Sequence, residues 1–169
     1  MFAQTLIQTT LLAAVATAAS LPVRQTTTTF RLAANVTNFD LTPSIQGQEL
    51  TYTPTADCAA SVVFGLAGQG AEFYATGSTV NVAHLSGENS SPSAGLIVTP
   101  GGTATVPSLN TVQLQCGAGT SGVTVTDGSL QFEDGFWMAC PRNGSVVLSF
   151  KKAGQRTLLG CADVQLLST

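Results

Sequence analysis

Few side chains in this sequence are able to do acid–base or covalent chemistry. There is one histidine, His84, and there are nine acidic residues. Nucleophilic catalysis needs a base beside a nucleophile. His84 follows the Val80/Val82 pattern in Ala83-His84-Leu85, and reads as a strand-end histidine with a satisfied hydrogen bond rather than a base. No G-x-S-x-G run occurs. Glycoside hydrolysis needs two carboxylates roughly 5–10 Å apart across a cleft. The one close acidic cluster, Glu133-Asp134, precedes Gly135 in a connection where adjacent side chains point apart. A calcium site on Asp127, Glu133 and Asp134 is a weaker reading than turn solvation. No C-x-x-C type pair is present, so zinc is not expected. The expectation is a protein that is not an enzyme and carries no metal or cofactor.

Contact chemistry is better represented. Trp137, the single tryptophan, is able to stack on a sugar ring, although its place in Phe136-Trp137-Met138-Ala139-Cys140 favours a core role. Arg142, Lys151, Lys152 and Arg156 are four of the six basic residues and have no acid among them. They make a candidate positive edge for an acidic glycan or phosphomannan, weighed against ordinary solvated loops. If residues 145–150 form a strand, the four gather at its two ends.

The elements that would position these side chains read as strands. Phe30, Leu32, Ala34 and Val36 alternate with polar or small residues, as do Val80/Val82, Val112/Leu114, Val123/Val125 and Leu130/Phe132. Continuous apolar runs at Val62–Phe64, Leu96–Val98 and Val146–Leu148 fit strands buried on both faces. Asp127-Gly128 and Asn143-Gly144 suit two-residue turns that need positive φ. They predict one hairpin over residues 123–132 and another over 136–150. No long helical apolar stripe free of Gly and Pro is found. The predicted fold is all-β, a compact antiparallel β-barrel or β-sandwich, in one domain over residues 30–169.

Cys58, Cys116, Cys140 and Cys161 are an even set that allows three pairings. Sequential pairing, Cys58–Cys116 and Cys140–Cys161, is the expectation among them. Residues 1–19 read as a secretory signal with an apolar centre at Leu11–Ala16 and a small-residue cleavage site at Thr17-Ala18-Ala19. Its amino-terminal region lacks Lys and Arg. Residues 20–29 read as a mobile Thr-rich leader or pro-segment. Sequons at Asn35, Asn89 and Asn143 agree with secretion, with Asn89 ranked last because Pro92 follows it. The expected place is extracellular, with no transmembrane segment and a monomeric state.

Composition sets the outer limits. Charged residues are 9% of the chain and the net charge is −3, so a general nucleic-acid binder is excluded. A hydrophobic content of 44% is enough to feed a core.

Gly128-Ser129-Leu130-Gln131-Phe132, Gly135-Phe136-Trp137-Met138-Ala139-Cys140-Pro141, Gly144-Ser145 and the downstream Cys161 resemble the closing segment of the fungal phialide-associated cell-wall protein family (PhiA-like). Phe30-x-Leu32, Asp57-Cys58 and Glu72–Thr76 are compatible with it. The resemblance implies a small secreted fungal glycoprotein, wall-associated or released, structural or antigenic, with no catalytic residues to carry over. Lys151–Arg156 is more basic than that family implies. A weaker similarity of type links the chain to secreted elicitors or effectors that induce plant defence or hypersensitive cell death. A carbohydrate-binding module is the third reading. The implied partner is a cell-wall polysaccharide or a host surface component.

Overall fold

The computed structural model describes residues 28–83, 85 and 93–169. The signal segment, leader residues 20–27, His84 and Asn89 lie outside the described residues.

Turn chemistry builds the two predicted hairpins. Asp127 and Gly128 take φ of 51° and 71°, and Asn143 and Gly144 take 50° and 79°. These are the left-handed values that a tight turn between antiparallel strands demands. The first turn joins β9 (Thr124–Thr126) to β10 (Ser129–Gln131), and the second joins β11 (Phe136–Arg142) to β12 (Ser145–Lys151). Before them come β1 (Thr29–Phe30), β2 (Leu32–Asn38), β3 (Glu49–Ala56), β4 (Ala59–Gly65), β5 (Phe73–Thr76), β6 (Thr79–Val82), β7 (Ala94–Ile97) and β8 (Gln113–Cys116); β13 (Ala162–Ser168) closes the chain. The fold is all-β, with no helix among the described residues. The first strand starts at Thr29, inside the expected leader, because Thr29 pairs with Tyr74 of β5.

Strand bonding closes on itself. The order β4–β12–β11–β13–β2–β3 returns to β4, with every pair antiparallel. A closed ring is the barrel solution to the problem of exposed sheet edges. The β4–β12 seam is thin, a single residue pair at Val63 and Val147. There the segment ahead of β8 helps, since Val62 N–H donates to Val112 O and Val112 N–H donates to Leu148 O. From β4 the sheet runs on through β8, β7, β6 and β5 to β1, which leads back into β2. β10 and β9 extend from the far end of β13.

Alternation fills the interior. Leu32 and Ala34, Val80 and Val82, and Leu130 and Phe132 are all buried in one core, with Leu50, Phe73, Leu96, Leu114 and Leu148. Phe150 stacks edge-on against both Phe132 and Trp137, at 5.1 and 5.3 Å between ring centres. β11 and β12 are buried on both faces, which explains their unbroken apolar runs. Trp137, Ala139 and Leu148 face the main core, while Val63, Met138, Cys140, Val147 and Cys161 form a second cluster with Leu158 against it.

All four cysteines are paired, Cys58 with Cys116 and Cys140 with Cys161. The first bridge ties the β3–β4 turn to the end of β8. The second holds the start of β13 inside the smaller apolar cluster.

Candidate functional site

The outward face of the β11–β12 hairpin follows from its register. Phe136 lies opposite Lys151, Met138 opposite Ser149, Cys140 opposite Val147, and Arg142 opposite Ser145. The middle of this row is the second apolar cluster. Its two ends are chemically different, and a groove opens at each.

At the turn end, Arg142 and Asn143 adjoin Thr53, Ser61, Thr111 and Gln113 in a polar groove of about 340 Å³. The Arg142 guanidinium donates to Thr111 Oγ1 at 3.1 Å. The groove sits over the thin β4–β12 seam, where few ladder bonds leave room between the strands.

At the other end lies a larger groove of about 580 Å³. It opens because β13 changes partner. Val164 pairs with Trp137 of β11, whereas Leu167 pairs with Ser129 of β10. Leu130, Trp137 and Val164 line it together with Phe136, Gln165 and Thr37, and Glu133 and Asp134 approach from the β10–β11 connection. Thr37 is the extra residue of a β-bulge, since Val36 and Asn38 pair with the consecutive residues Val164 and Asp163. Bulges of this kind re-aim a side chain.

Phe136 is 56% exposed. Lys151 Nζ lies 5.7 Å from the centre of its ring. That ammonium also donates to Asp163 Oδ1 and to Thr157 Oγ1, each at 2.7 Å, and Thr157 Oγ1 donates in turn to Asp163. One face of the ring therefore lies under a fixed cation.

The structure separates the sequence-predicted contact residues. Trp137 is 4% exposed, and its Nε1–H donates to Leu130 O at 2.8 Å; it belongs to the core and leaves no open face for stacking. Lys151 is buried and ion-paired, so it drops out of the expected positive edge. Lys152 and Arg156 are exposed in the loop after β12. Gln155 in that loop donates to Gly101 O and Thr103 O, and Arg156 N–H donates to Thr105 O. Arg142 stands at the opposite end of β12, so the four residues form no continuous patch.

Asn143 is exposed at the hairpin tip. Asn35 is half-buried in β2 opposite Gln165. Among the described residues no three acid, histidine or cysteine side chains gather as metal ligands. Asp127 stays in its turn, apart in the chain from Glu133 and Asp134. Phe136, Gln165 and Thr37 carry no individual mark in the sequence. Strand alternation places Phe136 and Trp137 on opposite faces, and the bulge that brings in Thr37 depends on pairing with a distant strand.

Other acids hold backbone. Asp40 accepts from Ser44 Oγ at 2.6 Å and from the N–H groups of Leu41 and Ile45. Glu49 accepts from Gly70 N–H at 2.7 Å and lies 3.9 Å from Arg31. The Ser44 hydroxyl, aided by the two backbone donors, holds the Asp40 carboxyl below its ordinary value. No helix of the described residues is long and apolar enough to cross a membrane.

No curated protein and no solved structure matches the chain. Residues 27–169 match the family described as Domain of unknown function (DUF7907), and they span the whole strand-built part of the molecule. The chain belongs to that family.

Proposed function

We propose that this protein is a secreted, non-catalytic glycoprotein of fungal type that associates with the cell wall through the outer surface of its barrel. The observation that supports this reading most is how the acids are used. Asp40, Glu49 and Asp163 are committed to backbone donors or to an ion pair. The two grooves face outward with hydroxyls, amides and one exposed ring, alongside Arg142 in one and the adjacent carboxylates Glu133 and Asp134 in the other. Such a surface suits contact with polyhydroxylated material better than proton transfer. Two disulfides add resistance to unfolding, which a protein outside the cell requires.

Fractionation of the producing cells tests the reading. The protein should be recovered from wall extracts, carry N-linked sugar at Asn143, and start after the signal segment. His84→Ala should leave wall incorporation unchanged to within about twofold. Recovery from the culture fluid alone, together with necrosis when pure protein is infiltrated into leaves, would replace this reading with the elicitor one.

A further inference from the structure

We propose that the groove beside Phe136 binds a neutral polysaccharide, a chain of pyranose rings with one ring stacked on Phe136. This rests on the wall-associated reading and gives it a site and a ligand class. A pyranose ring presents a C–H face, which suits an aromatic surface, and a rim of hydroxyls, which needs donors and acceptors close by. The groove supplies both. Phe136 offers the exposed ring. Around it Thr37, Glu133, Asp134 and Gln165 bring a hydroxyl, two carboxylates and an amide. None of these four side chains is tied by a hydrogen bond among the described residues.

The floor of the groove and the Phe136 ring are held in place in advance. Trp137 and Leu130 beneath the groove are locked to one another by the indole–carbonyl bond. Lys151 lies over one face of the Phe136 ring, leaving the other face for the sugar, and Lys151 is itself fixed by Asp163 and Thr157. Sites carried on rigid strands lose little freedom when a ligand binds. A volume of about 580 Å³ lies within the roughly 300–1,000 Å³ of small-ligand sites, so the groove takes a short stretch of a chain. Charge decides between glycan classes. Glu133 and Asp134 disfavour an acidic glycan here by like-charge repulsion, while Lys151 is already paired. The neutral class is the one that fits.

The test is retention of purified protein on insoluble β-1,3-glucan and on chitin, with soluble polygalacturonate as the acidic comparison, beside thermal melts. The parent should be held by at least one neutral polymer and should not be competed off by polygalacturonate at physiological salt. Phe136→Ala should lower retention about tenfold or more while melting like the parent, a loss of the size expected for one stacking surface. Phe136→Tyr should keep retention, and Gln165→Ala should weaken it. Two results would overturn the site and leave the wall reading standing. One is equal retention of the parent, Phe136→Ala and Gln165→Ala proteins; the other is no retention of a parent protein that is nevertheless found in wall extracts. Absence from wall extracts fails the wall reading itself, whichever way the retention assay falls.

Discussion

Lys151 Nζ and Asp163 Oδ1 stand 2.7 Å apart with only 9% and 16% of their side chains exposed, and Thr157 Oγ1 completes the triangle. The two residues come from β12 and β13, which do not pair with each other but flank β11. Removing one partner leaves a charge largely out of water without compensation. Asp163→Asn should therefore destabilise the fold by about 3 kcal/mol. Lys151→Met with Asp163→Leu should recover most of that loss, since an apolar pair of similar size avoids both desolvation costs. Chemical denaturation of the two variants and the parent checks it. A double variant weaker than Asp163→Asn would show that the pair itself, and not the avoidance of a lone charge, stabilises the barrel.

Gly95 is a point of backbone contact. A Cβ there would sit 2.1 Å from Gly119 N and 2.3 Å from Gly119 Cα. The close approach lets Thr120 N–H donate to Leu96 O at 2.8 Å and Thr120 Oγ1 accept from Val98 N–H at 3.0 Å. Both obstructing atoms are main chain, so no side chain can swing aside. Gly95→Ala should push residues 117–120 off β7 and cost about 2–3 kcal/mol. Faster amide exchange at Thr120 should accompany the lowered melting point. An unchanged exchange rate there would mean the contact is not what holds the segment.

What was legible in the sequence is what is decided locally. Asp127-Gly128 and Asn143-Gly144 mark their hairpins because the turn needs positive φ at both residues, whatever lies elsewhere. β3 and β13 carry no such mark. β3 contains Pro54 and threonines at every second position from Thr51 to Thr55, and has only Leu50 fully buried; it is a strand because Glu49 to Ala56 pair along β4. β13 earns its place by meeting β11, β2 and β10 in turn. The site behaves the same way. Phe136 and Trp137 must face opposite sides of a strand, but only the position of β11 in the ring decides that Trp137 goes inward. Lys151 looks like a free surface charge until β13 brings Asp163 beside it.

The two disulfides should differ in access and in consequence. Cys58 is exposed and Cys116 half-buried, while Cys140 and Cys161 are 1% and 6% exposed within an apolar cluster. Under mild reduction without denaturant, Cys58–Cys116 should open first, as differential alkylation and peptide mapping would show. Chain-entropy reasoning gives about 4 kcal/mol for that bridge and about 3 kcal/mol for Cys140–Cys161, from their loops of 58 and 21 residues. Replacing Cys140 and Cys161 together with Ala also strips packing from Met138 and Val147. The shorter loop should then prove at least as costly to open as the longer one. A Cys140→Ala/Cys161→Ala protein that melts well above the Cys58→Ala/Cys116→Ala protein would show that loop length alone governs.

Acid should loosen the loop between β2 and β3 before it touches the barrel. Asp40 organises that loop by accepting from Ser44 Oγ, from Leu41 N–H at 2.8 Å and from Ile45 N–H at 3.2 Å. Ile45, 1% exposed, is thereby delivered into the core. The Ser44 bond is the largest influence on the carboxyl, desolvation opposes it, and the Ile45 and Leu41 backbone donors add to the lowering; the net effect is a value below the ordinary 3.8. A carboxyl whose folded value is depressed binds protons more readily when the loop is open. Its contribution is therefore complete above pH 3.8 and is lost as pH falls through the depressed value. Amide exchange at Leu41 and Ile45 should quicken over that acid interval while the amides of β11 and β12 stay protected. Ser44→Ala should move the Asp40 titration, followed by NMR, up toward its ordinary value, and Asp40→Asn should abolish the acid-dependent step. If Asp40 in the parent titrates at or above 3.8, the loop is not held by its carboxylate.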